Sequence, residues 1–182
     1  TPYIPDSYED FDAFFSNKKK VYFDHLDFSS RFLQSSGILK VALSNYVFSA
    51  LPLDVKTKEA MQSAILENVA EVSEILKDTP IPFKIVVFQA LWKTANTSVL
   101  HLVSDSIFST YLKDLADQIG DQDLIDEIEL SSRLRIGTRS PEITWIKDDK
   151  TKILSGLEGA EHYVLVFWSS TCSHCLKELP VL

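Results

Sequence analysis

Apolar residues recur every three to four positions through most of residues 1–135, the spacing of helices that each bury one face. Over 55–77 the stripe is Met61, Ile65, Val69, Val72 and Leu76, with Glu59, Glu67, Glu71 and Glu74 off it. Over 98–119 it is Leu100, Val103, Ile107, Tyr111, Leu115 and Ile119. Between the two, Thr79-Pro80 predicts a helix start, a capping hydroxyl followed by a residue with no amide to satisfy. Phe83, Val87 and Leu91 carry that helix to about Lys93. Gly120-Asp121 predicts a stop and a restart, after which Leu124, Ile125, Ile128 and Leu134 follow. Segments near 7–15 and 37–51 are also predicted helical, the second broken by Pro52. No fixed period repeats, which argues against a solenoid.

Glycine marks a change of pattern. Gly37 alone lies before residue 120, whereas Gly120, Gly137, Gly156 and Gly159 follow. From Ile136 the helical period is lost, and Gly137–Pro141 reads as a linker. Ile143–Ile146 and Lys152–Leu154 flank the polar stretch Lys147–Thr151 and predict a β-hairpin. Tyr163–Trp168 is apolar at every position, the pattern of a strand covered on both faces. Helix resumes at or just after Cys172. The expected organisation is a helical bundle over 1–135 and an α/β segment over 136–182.

Composition narrows the function classes. Net charge is −8, with 13 Lys and Arg against 20 Asp and Glu through residue 135 and 5 against 6 beyond it. No basic face is available for phosphates, so nucleic acid is not an expected partner. Lys18-Lys19-Lys20 is the one basic run, expected as a solvated turn or helix end. No apolar stretch is long enough to span a bilayer. The chain begins at Thr1 and ends at Leu182 in the middle of an expected helix, so both termini read as cut. Targeting signals would then lie on the missing ends.

Chemistry concentrates at the end of the chain, in "FWSSTCSHCLKELPVL", which holds both cysteines, Cys172 and Cys175. A structural zinc site needs four ligands, and this pair supplies two; His174 and His162 would complete it only in awkward geometry. Two buried inert thiols would suit the apolar run but leave the spacing unexplained. A redox dithiol accounts for both features. Cysteines three apart at a helix start share a face and can close a small disulfide ring. The first meets unpaired amides and the positive end of the helix dipole, which favour the thiolate that attacks disulfides. His174, if protonated, would lower the Cys172 pKa further; it reads equally well as an exposed helical residue without a role.

Residues 136–182 resemble the opening of a thioredoxin-fold domain of the TlpA/ResA type, a family of extracytoplasmic thiol:disulfide oxidoreductases. The resemblance rests on Gly137…Pro141-Glu142-Ile143, the hairpin through Leu154, Leu157…Gly159, the run Val164–Trp168 and Cys172-x-x-Cys175-x-x-Glu178-x-Pro180. It implies an α+β chain, a helical bundle followed by an incomplete thioredoxin-like segment of hairpin, strand and helix start. By the same resemblance Cys172 is the nucleophile, Cys175 the resolving thiol, Glu178 the acid that tunes the dithiol, and Pro180 a kink in the helix. Glu178 also reads as a solvent-facing helical glutamate. Thr171 stands where the family usually has a bulky residue, and Ser173-His174 where proline is frequent, so the redox direction stays open.

Residues 1–135 resemble helical domains that precede such modules in secreted bacterial proteins, through "VYFDHLDFSSRFLQSSGIL". Its Tyr22, Phe23, Phe28 and Phe32 are candidates for a groove or for core. The expected parent is a periplasmic oxidoreductase acting on protein thiols or disulfides with no cofactor beyond the dithiol. The chain, cut within its second domain, is expected to be inactive by itself. It could also pair through residues 163–168 as a homodimer. The competing class is a non-catalytic helical module for interaction or dimerisation.

Overall fold

A computed structural model describes residues 11–52, 54–139 and 141–178, which form two compact units divided in sequence between Ser132 and Arg133. The first unit is a helical bundle. Its elements are α1 (Phe11–Lys20), α2 (Arg31–Ser36), α3 (Ile38–Ser49), α4 (Lys58–Ile75), α5 (Ile81–Thr97), α6 (His101–Ile107), α7 (Lys113–Ile119) and α8 (Gln122–Arg133). Residues 7–10 of the first expected helix, and Pro180, lie outside the described residues.

Helix α5 is the centre of the bundle and packs against α3, α6 and α7. It buries Phe83, Ile85, Val87, Phe88, Leu91, Trp92 and Ala95, more than one stripe, because neighbours meet it on several sides. Ile65, Val69, Val72 and Leu76 of the α4 stripe are buried against the same core, as the period predicts. Helix ends follow local chemistry. The Thr57 hydroxyl accepts the Ala60 amide (3.1 Å) to start α4. Gly120 turns left-handed (φ 71°) to end α7, and the Asp121 carboxylate accepts the Leu124 amide (3.1 Å) to begin α8.

Two local expectations need correction. Thr79 does not cap α5; its hydroxyl donates backward to the Leu76 carbonyl (2.7 Å), and Pro80 takes the cap position instead. The second concerns the stripe over 98–119. Between α6 and α7 the chain makes a π-helical turn, Phe108–Leu112, whose wider winding inserts one residue. The buried positions therefore run Val103, Ile107, Leu112 and Ala116 rather than continuing through Tyr111 and Leu115 to Ile119. Ile119 is 50% exposed, and Tyr111 is freed to stack on Phe88 with ring centroids 4.9 Å apart and an interplanar angle of 4°. Leu134 is also exposed, lying beyond the end of α8.

Tyr22, Phe23 and Phe28 pack on the core, Phe23 edge-on to Phe28 and tilted on Tyr46, while Phe32 is exposed. The lysine run closes α1, but one member is not simply solvated. Lys19 Nζ lies 2.8 Å from Glu71 Oε1 and above the Tyr46 ring, and the Tyr46 hydroxyl donates to Glu71 Oε2. Burial raises the Glu71 pKa, but the hydrogen bonds from Lys19 and Tyr46 outweigh it and hold the carboxyl below its ordinary value. Burial, reinforced by Glu71, pushes the Tyr46 phenol up.

The second unit opens with an antiparallel hairpin, β1 (Thr144–Lys147) and β2 (Lys150–Ile153), in register Thr144 to Ile153 and Lys147 to Lys150. Its two-residue loop, Asp148-Asp149, has positive φ at both positions (53° and 57°), as a tight hairpin turn requires. Glu142 clasps the far end: its carboxylate accepts from the Ser155 amide (3.0 Å) and hydroxyl. The hydroxyl bond, with the amide bonds behind it, lowers the Glu142 pKa. The expected strand at 163–168 does not form. No ladder includes those residues, and all six are exposed, Phe167 at 83%. Among the described residues the hairpin strands pair only with each other, and a strand is not made without a partner ladder. A short helix, α9 (Ser173–Glu178), follows.

Candidate functional site

The cysteines stand where a turn hands over to α9. The Cys172 amide donates to the Ser169 carbonyl (3.1 Å), and the Thr171 amide donates to the Ser169 hydroxyl (3.3 Å), which closes the turn. The Cys172 carbonyl then accepts the Leu176 amide (3.1 Å), the first helical bond. Cys172 is thereby the residue that caps the helix. Its sulfur does what a capping serine oxygen would do, accepting the Cys175 amide at 3.2 Å.

This geometry serves thiol chemistry in two ways. A disulfide joins Cys172 to Cys175, with Cα atoms 5.3 Å apart, inside the span such a bridge needs. The amide that points at the Cys172 sulfur also favours negative charge there once the bond opens. Both cysteines are half-buried.

His174 lies between the cysteines and is exposed, as are His162 and Glu178. Glu178 is the last residue of α9, one turn beyond Cys175. No cluster of three His, Cys, Asp or Glu suited to a metal occurs among the described residues. Among them, too, no helix is long and apolar enough to cross a membrane.

Sequence reasoning passed over a second feature, a cleft of about 810 Å³ in the helical unit between α1, α3 and α4. One sign of it was present: Asn68 interrupts the buried face of α4 beside Ile65, Val69 and Val72. A polar side chain on an apolar face asks for partners, and those partners are far away in sequence.

No protein-family model, no curated protein and no solved structure matches this chain.

Proposed function

We propose that the chain carries the dithiol site of a thiol:disulfide oxidoreductase. The observation that supports this most is the Cys175 amide donating to a Cys172 sulfur that caps α9. In the reducing direction, the Cys172 thiolate attacks one sulfur of a substrate disulfide. A mixed disulfide forms and one substrate thiolate leaves. The Cys175 thiolate then attacks the Cys172 sulfur, the second substrate thiolate leaves, and the Cys172–Cys175 bond closes. Two electrons pass from the dithiol to the substrate disulfide; oxidation of a substrate dithiol is the same sequence reversed.

In this reading Cys172 is the nucleophile and Cys175 the resolving thiol. His174, beside the pair, would favour the thiolate when protonated. Glu178, one turn on, would accept or return the proton of the resolving thiol. The resemblance to TlpA/ResA-type proteins supports this assignment and an extracytoplasmic setting, with protein thiols or disulfides as substrates.

Single-cysteine variants of the chain test the roles without requiring turnover. Cys175→Ser leaves Cys172, and Cys172→Ser leaves Cys175. Reaction with dithiodipyridine followed against pH should give Cys172 the lower apparent pKa and, near neutrality, a rate about 10-fold higher. Equal profiles, or a faster Cys175, would reverse or remove the assignment.

A further inference from the structure

We propose that the corner between α5 and α6 is a two-state hinge, closed in this structure and able to open locally while the rest of the helical unit stays folded. The inference concerns the helical unit alone and does not rest on the dithiol reading. Two independent observations converge on this corner, backbone strain and unmet hydrogen bonding.

The strain lies at the end of α5. There the Val99 amide donates to the Asn96 carbonyl (3.2 Å) and the Leu100 amide donates to the Ala95 carbonyl (2.9 Å). This closure puts the residue after the helix cap in the left-handed region, where glycine is usual. Val99 occupies that position, at φ 58°. A β-branched side chain suits it poorly, because the Cβ and its branches crowd the following carbonyl. At the ends of α2 and α7 the left-handed turn is made by Gly37 (φ 76°) and Gly120 (φ 71°), which avoid that crowding.

The unmet bonds lie on both sides of Val99. Trp92, in the second half of α5, and His101, the first residue of α6, bury Nε1 and Nδ1 respectively, and neither atom has a partner among the described residues. An indole N–H can only donate, and an imidazole Nδ1 donates or accepts according to tautomer, so each leaves one bond unmade. Closing the corner over them carries the desolvation cost of both groups. Helix α6 also starts without a side-chain cap at Leu100.

Opening gives up little by comparison. The Val99 and Leu100 amides, and the Ser104 amide bonded to the Leu100 carbonyl (3.0 Å), exchange their partners for water. Val99 is already exposed, so Leu100 is the apolar side chain at the corner that loses burial. Val103 and Ile107, fully buried further along α6, keep that helix on the core. In return Val99 relaxes to an ordinary φ, and water reaches the Trp92 and His101 nitrogens. Stored strain and unmet bonds thus offset the burial of one leucine, which places the open corner within reach of the folded ensemble.

The test follows proton exchange in deuterated water by NMR on the full chain. Its three indole N–H signals belong to Trp92, Trp145 and Trp168, and Trp145→Phe and Trp168→Phe identify the first. After correction for intrinsic rates, the Trp92 indole proton should exchange at least about 10-fold faster than the slowest α4 amides, which report global unfolding. Val99→Gly relieves the closed corner and should slow that exchange about 3-fold. Val99→Asn, also tolerated at positive φ, should act in the same direction, so the result does not depend on one variant. His101→Phe keeps an aromatic ring, removes the unmet nitrogen and should slow the exchange as well. A Trp92 proton that exchanges only with the slowest amides, or whose rate is unchanged or faster in both Val99 variants, would overturn the proposal.

Discussion

Asn68→Ala is the substitution whose cost can be worked most directly from the helical unit. The Asn68 amine ties α4 to the last turn of α3 and the residue after it, through the Val47 and Ala50 carbonyls, with the Tyr46 carbonyl more distant. Two amine hydrogens allow two good bonds at a time. The Tyr46 carbonyl is not orphaned by the change, since the Ala50 amide still donates to it (3.0 Å). The Val47 and Ala50 carbonyls lose the Asn68 donor. Each bond contributes about 1 kcal/mol net, and a buried acceptor left unpaired costs about 1–3 kcal/mol. Water entering by the cleft can relieve part of that penalty. The expected loss is therefore about 2–4 kcal/mol, large against the about 5–15 kcal/mol by which domains are usually stable. Urea unfolding followed by circular dichroism at the helical band measures it as a lower midpoint at unchanged slope. A loss below about 0.5 kcal/mol would show that these bonds are not formed in solution. Asn68→Asp sharpens the test, because it keeps the shape, removes both donors and sets an acceptor against the carbonyls; it should cost at least as much.

Three further outcomes follow from the same unit. Leu112→Ala, at a fully buried position, should cost about 2–5 kcal/mol, whereas Ile119→Ala, half exposed, should cost far less. The reverse order in denaturant melts would mean that the π-helical turn is absent and the stripe runs unshifted. Gly120→Ala should destabilise by about 1 kcal/mol, because φ of 71° disfavours any side chain although nothing crowds the position; an unchanged melting temperature would contradict that conformation. Glu71, with its pKa lowered in the folded state, stabilises the fold above the ordinary glutamate pKa of about 4.3, and that contribution is lost as pH falls through the lower folded value. Glu71→Gln has no such contribution to lose, so its stability should fall less steeply below about pH 4.3 than that of wild type; parallel curves would rule the linkage out.

Elements governed by neighbours within four residues were legible in the sequence. The stripe Ile65, Val69, Val72 and Leu76, the stop at Gly120 with the restart at Asp121, and the hairpin around Asp148-Asp149 all depend on period, capping or turn chemistry. The cysteine pair belongs with them, since Cys172 and Cys175 reach each other across one helical turn. Thr79 is an exception among the local features, its hydroxyl donating back to the Leu76 carbonyl instead of accepting an amide of α5. Tertiary packing decided the rest. The π-helical turn shifts the buried positions from Tyr111 to Leu112, a choice made by what α5 presents rather than by the periodicity of residues 98–119 itself. Tyr163–Trp168 has the composition of a covered strand, yet composition cannot supply the neighbouring ladder that makes one. The Lys19–Glu71–Tyr46 cluster and the Asn68 clasp join residues 18 to 52 positions apart. Their pairing has no local signature, because the free energy that selects it comes from burying polar groups together, and burial exists only once the helices have packed.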